Sequence, residues 1–366
     1  MKVQIDWLSI YQDHAGLKLP LVGREIAIYS DIETGEIKKE SVTGKQKRGS
    51  FDSSLTVRCD GSRVSMSGNP SRWMQKDSLF GITSLIDAVK IFNSVLEELE
   101  LPPFTENSMT QNCNKRVSQI SDSVIRNGAV ITRVDDATNY MTGSVKNGFS
   151  MIEYLASQRH QGRTGHVYPN GATVDWQGRS RTGKGSRYAY FKYYAKWIEA
   201  GCSKENEDYY LMLMEWCKKV GLVRFELSLK SMLLKKLGLD YIDAWKDKNI
   251  DNYREEIRGK YMMHKKTNFN ITEFSKIGEE LISIGETPAI SAKAQGLVDS
   301  WTSGNMYYLD NTIMSERTVY RYRKLIKQVC DIDILERLNV SRLPIKVKTI
   351  ELCEATPPEW YSRIAI

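Results

Sequence analysis

Apolar and polar residues alternate with a period of two in several segments, the pattern of strands with one buried face. In KVQIDWLSI (2–10), Val3, Ile5 and Trp7 fall opposite Gln4 and Asp6. SSLTVRC (53–59) and SRVSMSG (62–68) flank Asp60-Gly61, a two-residue hairpin signal. AVITRVDDA (129–137) sets Val130, Thr132 and Val134 against Arg133 and Asp135. LVRFELSLK (222–230) places Val223, Phe225, Leu227 and Leu229 inside, with Arg224, Glu226, Ser228 and Lys230 outside. In 188–196 the odd positions Ala189, Phe191, Tyr193 and Ala195 form an apolar face that Trp197 continues. The even positions are Tyr188, Tyr190, Lys192, Tyr194 and Lys196, so Tyr193 packs inward and Tyr194 lies between two lysines.

A helical period replaces this alternation elsewhere. Residues 84–100 repeat through Leu85, Val89, Phe92 and Leu96, with Ser84 as cap and Pro102-Pro103 as stop. Helices are also expected over 150–160 and 205–220. Residues 161–185 are rich in Gly and Arg, with a hairpin signal at Asn170-Gly171. Beyond about residue 235 the chain is mainly helical and more basic, until IKVKTIEL (345–352) reads as a strand before the tail PPEWY (357–361). The expectation is an α+β fold. A mixed or antiparallel sheet domain spans 1–232, and a mainly helical DNA-binding region spans 233–366, its last strand returning to the sheet.

Composition narrows the function classes. The 366 residues are 41% hydrophobic and 27% charged, which suits a folded chain of two or three domains. The net charge of +7 favours nucleic acid or another acidic partner, although unrelated proteins are as basic. Six scattered cysteines without a CxxC pair read as reduced thiols. No apolar run is long enough to span a bilayer, and Asp6 interrupts any signal-peptide core, so a cytoplasmic protein without a membrane partner is expected. GRTGHV and SRTGKGS lack the spacing of a P-loop, so no nucleotide cofactor is expected.

A half-solvated antiparallel sheet produces such alternation routinely. Taken together, however, the outward groups fit a specific chemistry. Asp6, Asp135 and Glu226 are oxygen donors suited to Mg²⁺ or Mn²⁺. Arg133, Arg224, Lys192 and Lys196 suit phosphates. Tyr194 is the one nucleophile among them; flanking lysines favour its phenolate against a solution pKa of about 10. This set fits phosphodiester transesterification. The four histidines, His14, His160, His166 and His264, form no His-x-His pair, so carboxylates are the expected ligands. His160 and His166 are expected to be solvent-exposed in the basic loop.

Two further segments carry positive charge. SERTVYRYRKLIKQV (315–329) reads as a helix capped by Ser315, with Val319, Tyr322, Ile326 and Val329 inward. Arg317, Arg321 and Lys324 form its basic stripe, which suits either a recognition helix in a major groove or a solvated bundle face. Arg163, Arg179, Arg181 and Lys184 in the 161–185 loop suit phosphates or a displaced single strand.

Ordered short blocks along the chain match a known family: DWLSIY (6–11), SGNPSRW (67–73) with LFG (79–81), ITRVD (131–135), SRYAYFKYYAK (186–196), GLVRFE (221–226) and PPEWY. The chain resembles the gene II replication initiators of filamentous phages, most closely those of vibrio filamentous phages. The resemblance implies a site-specific endonuclease and ligase that nicks double-stranded phage DNA at the plus-strand origin. It would leave a 5′-phosphotyrosine link and a free 3′ hydroxyl to initiate rolling-circle replication in the host bacterial cytoplasm, beside a host helicase and DNA polymerase. The family block places the nucleophile at Tyr194, with Lys196 and Glu199 following. The TRVD and RFE blocks also resemble those of Rep-trans plasmid initiators, whose sheet carboxylates hold a metal; this favours Asp135 and Glu226, then Asp6, and leaves Asp136 ambiguous. Two other readings remain: a non-enzymatic origin-binding or repressor protein, and an RNA-binding protein using sheet aromatics.

Overall fold

The computed structural model describes residues 3–50, 53–114, 119–160, 163–176, 186–199, 207–263, 277–303, 305–310, 312–330, 333–335, 350 and 352–361. Its centre is an antiparallel sheet. Strand β1 (Gln4–Asp13) is followed by the hairpin of β2 (Ser54–Asp60) and β3 (Arg63–Gly68), which turns at Gly61 with φ +97°. Helix α1 (Leu85–Glu98) starts at Ser84, whose hydroxyl accepts from the Asp87 N–H as the capping pattern requires. Strand β4 (Val130–Met141) continues beyond the expected 129–137. Helix α2 (Val145–Ser157) begins earlier than residue 150, because Ser144 caps it through the Asn147 N–H. Arg159–His160 are instead extended and pair with Arg163–Thr164.

The remaining central strands are β5 (Thr173–Asp175), β6 (Ala189–Ala195) and β7 (Leu222–Lys230). The expected hairpin at Asn170-Gly171 joins His166–Val167 to β5. Helix α3 (Glu207–Val220) enters β7 through Gly221 at φ +59°, where a Cβ would lie 2.2 Å from the Ser144 carbonyl oxygen. Only glycine fits both the backbone angle and that approach. The sheet order from the β5 side is β5, β6, β7, β4, β1, β3, β2, and each neighbouring pair runs antiparallel.

One face of the sheet is the core. Leu8, Ile10, Leu55, Val57, Val64, Met66, Val134, Phe191, Tyr193, Phe225 and Leu227 are buried there with Phe92 and Leu96 of α1. Burying side chains of this size contributes about 1.5–3 kcal/mol each. The same core takes in Leu234 of α4 (Ser231–Leu237), Trp245, and Ile257 of α5 (Ile250–Gly259). A second core draws on α6 (Ile277–Ser283), α7 (Pro288–Thr302) and α8 (Glu316–Cys330), through Leu281, Val298, Trp301, Val319 and Ile326. Most of the expected strand at 345–352 lies outside the described residues; β8 (Cys353–Glu354) pairs with the end of β4. No helix among the described residues is long and apolar enough to cross a membrane.

Two strand expectations require correction. β1 carries a bulge at Asp6: Ile5 pairs with Asp136 and Trp7 with Asp135. The extra residue reverses the side-chain parity, so Trp7 stands on the polar face rather than with Ile5. β6 ends at Ala195, and Lys196 begins a single helical turn, Lys196–Glu199.

Candidate active site

The polar face gathers its groups through register. Tyr194 lies opposite Arg224, Lys192 opposite Glu226, and Asp175 opposite Lys192. The Tyr194 hydroxyl donates to Glu226 Oε1 in a short contact. Lys192 Nζ lies 4.7 Å and Lys196 Nζ 5.5 Å from the Tyr194 ring centre, so both lysines flank the phenol although Lys196 has left the strand. Tyr194 is only 3% exposed, yet its ring borders a cavity of about 240 Å³ lined also by Tyr168, Asn170, Thr173 and Lys192. Tyr193 projects the other way, and its hydroxyl accepts from the Met263 N–H at 3.2 Å within the core.

Glu226 is held by Lys192 at 2.8 Å and approached by Arg224 Nε at 3.5 Å. Burial pushes its carboxyl up, but Lys192, Arg224 and the Tyr194 hydrogen bond outweigh this and hold it well below the usual range. Arg224 is fully buried. Its guanidinium donates to Asp6 Oδ1 at 2.7 Å and to the Ser78 carbonyl at 3.0 Å. It therefore clamps the acidic pair from inside. Burial and the neighbouring Glu226 raise Asp6 from 3.8 to about 6 against the pull of Arg224. Asn69 also donates to Asp6, at 2.9 Å.

Asp135 shares this face but faces away from the pair. Arg133 grips it through two nitrogens, one at 2.8 Å. Burial raises the Asp135 carboxyl despite that partner. Asp136, the ambiguous carboxylate, points into the core and pairs with Arg254 at 2.7 Å. Its role is structural: both charges are buried and answer each other. Among the described residues no three His, Cys, Asp or Glu side chains are grouped as a metal ion would need. The three expected metal ligands thus divide into an adjacent pair, Asp6 and Glu226, and a separate Asp135.

The other expectations fall unevenly. Arg179, Arg181 and Lys184, and the side chain of Glu199, lie outside the described residues. Arg163 is exposed on its short hairpin. Arg317, Arg321 and Lys324 are exposed on α8, while Val319, Tyr322 and Ile326 are buried beneath it. His166 is exposed, but His160 is not the solvent-facing residue expected; its ring packs edge-on to Phe191 at 5.0 Å because the 159–160 segment crosses the core side of β6.

Several residues at the site are not singled out by alternation. Asn69 and Ser78 belong to the 69–81 segment that crosses the polar face. Its Asp77 accepts from Tyr361 at 2.9 Å and from Tyr209, and Tyr361 packs edge-on to Phe80 at 5.1 Å. The SGNPSRW, LFG and PPEWY blocks are thereby joined over Asp6 and Arg224. The order of those blocks along the chain is the available signal; nothing local marks Asn69 as a partner of Asp6. Tyr168 donates to Asp175 at 3.0 Å beside the cavity, a pairing fixed by the hairpin rather than by a motif.

The family model for the N-terminal part of the replication-associated gene II protein matches residues 5–248. Two curated relatives carry the same name, replication-associated gene II protein. That of Escherichia phage If1 is 29% identical over 330 residues, covering 85% of this chain and 97% of its own. That of Enterobacteria phage I2-2 is 24% identical over 384 aligned positions, covering 98% and 97%. No solved structure matches. The family model covers the whole central sheet, its polar face and the 69–81 segment, and on that match the chain belongs to the gene II-type replication-initiator family of filamentous phages.

Proposed function

We propose that this initiator nicks one strand of its double-stranded phage origin by transesterification on Tyr194. The tyrosyl oxygen attacks the scissile phosphorus, a P–O bond to Tyr194 forms, and the P–O3′ bond breaks. The protein keeps a 5′-phosphotyrosine link and the DNA a free 3′ hydroxyl for a host polymerase, with a host helicase opening the duplex. Reversal of the same step, with a 3′ hydroxyl as attacking group, rejoins the displaced strand. The link conserves the bond, so the step needs no nucleotide cofactor.

The observation that carries this reading is the Tyr194 hydroxyl bonded to Glu226 between two lysines at a cavity. Glu226 Oε1 is placed to receive the tyrosyl proton. Its low proton affinity alone would make it a weak base, so the positive field of Lys192 and Lys196 must share the work by favouring the phenolate. The same lysines stabilise charge on the phosphate and can return a proton to the leaving 3′ oxygen. Arg224 and Asn69 position Asp6; Arg133 positions Asp135. The exposed stripe Arg317, Arg321 and Lys324 suits the duplex.

Mg²⁺ or Mn²⁺ fits the oxygen donors of Asp6 and Glu226, where the raised Asp6 carboxyl marks a local demand for positive charge. Bound there, such an ion would polarise a phosphate oxygen. Asp135, gripped by Arg133, is the weaker ligand.

The test is a supercoiled origin plasmid incubated with protein and Mg²⁺. Relaxation with protein retained on the DNA supports the reading. A closed plasmid that still binds protein would mean a non-enzymatic origin-binding function instead.

A further inference from the structure

The polar face does not end at the reacting tyrosine. Side chains facing away from the core continue across the sheet as Trp7, Ser9 and Tyr11 on β1, Ser65 and Ser67 on β3, and Thr56 on β2; all are half-exposed. The intervening residues Leu8, Ile10, Val64, Met66, Leu55 and Val57 are buried on the other side. This region holds a second cavity of about 280 Å³, lined by Ser9, Tyr11, Thr56, Arg58, Ser67 and Thr132.

Each large ring on this face carries a cation. Arg133 lies 5.1 Å from the Trp7 ring centre, Arg63 lies 4.4 Å from Tyr11, and Lys230 lies 5.1 Å from Tyr190. The register sets Tyr190, Ser228, Asp135 and Trp7 in one row across four strands. Tyr190 and Trp7 are thus three strand spacings apart, roughly 14 Å, and Tyr11 lies four residues further along β1, roughly 13 Å. The row begins on β6, the strand of Tyr194, on the same face.

We infer that this face is a track for single-stranded DNA, with Tyr190, Trp7 and Tyr11 as stacking platforms and Lys230, Arg133 and Arg63 as phosphate contacts. The inference extends the proposed nicking, since a strand held at Tyr194 needs a path away from it. Unpaired bases can stack on rings or on guanidinium planes, while neighbouring cations meet the backbone. A duplex keeps its base faces stacked inside and cannot use such rings. Hydroxyls between the platforms offer hydrogen bonds without selecting a base. The span suits about four nucleotides or more, within the range of single-strand sites on β-barrels. The bulge at Asp6 creates the track: without it Trp7 would lie in the core.

The test measures binding without chemistry. Fluorescence anisotropy compares a 5′-fluorescein dT12 strand with the dT12·dA12 duplex, in a Tyr194→Phe background. Single strand should bind more tightly than duplex. Trp7→Ala and Tyr11→Ala should each weaken dT12 binding about tenfold, the effect of losing one stacked base. Trp7→Phe should largely restore it, and Arg63→Glu, a surface change, should also weaken it. Duplex binding should not follow these variants. Folded Trp7→Ala and Tyr11→Ala proteins that bind dT12 like their parent would overturn the track, as would equal losses for duplex. Should the wild-type protein fail to nick origin plasmid while dT12 binding responds as described, the catalytic reading falls and the track stands.

Discussion

Tyr193 and Tyr194 are neighbours in the chain, but their hydroxyls leave opposite faces of one strand, the first bonded to the Met263 nitrogen and the second to the Glu226 carboxylate. Strand parity alone separates a packing residue from a reactive one. Tyr193→Phe should therefore cost about 1–3 kcal/mol, because the Met263 N–H loses its buried acceptor. It should leave nicking intact. Urea denaturation and plasmid relaxation measure the two effects separately.

Asp136 and Arg254 form a buried pair on the core side, one residue from the site carboxylate Asp135. Asp136→Ala leaves the guanidinium of Arg254 without its charge partner and should destabilise the fold by about 3–5 kcal/mol. Asp135→Ala should cost less, because Arg133 is partly exposed and can be hydrated. Denaturation midpoints of the two variants should differ in that order.

Asp6 gives a pH signature. Its carboxyl rises from 3.8 to about 6 in the fold, so the native state favours the protonated form. That contribution is fully present below about pH 4 and is lost as pH rises through 6. Asp6→Asn mimics the protonated form. Its stability relative to wild type should grow between pH 4 and pH 7, by at most about 3 kcal/mol. Thermal melts across that range check the trend; a variant that loses ground as pH rises would contradict it.

The basic stripe of α8 is exposed and carries little of the second core. Replacing Arg317, Arg321 and Lys324 together by Ala should leave the melting temperature nearly unchanged. On the proposed reading it should lower the salt dependence of duplex binding by about 2–3 in log–log slope, roughly 0.9 per lost phosphate contact. A titration at several salt concentrations measures this.

Much of this architecture is legible in residue patterns. The hairpin at Asp60-Gly61, α1 with its Ser84 cap, β7 and the two faces of α8 follow from periodicity and turn chemistry. The pairing of Tyr194 with Lys192 and Glu226 follows from parity once the strands are neighbours, which alternation cannot establish. Alternation misplaces Trp7 because a bulge inserts one residue without leaving a mark in the pattern before it. The burial of Arg224 is invisible for another reason: the segment that covers it is irregular and is anchored by the distant Tyr361. The separation of Asp135 from Asp6 and Glu226 depends on Arg133, whose choice of partner is a matter of side-chain geometry rather than sequence spacing.

The most direct test of the central claim is the mass of the DNA-linked peptide after the protein is trapped on its origin and digested. The attached nucleotide should sit on Tyr194, and Tyr194→Phe should bind origin DNA yet yield no adduct. Attachment to Tyr193, Tyr190 or Tyr168, or nicking by the Tyr194→Phe protein, would contradict the account.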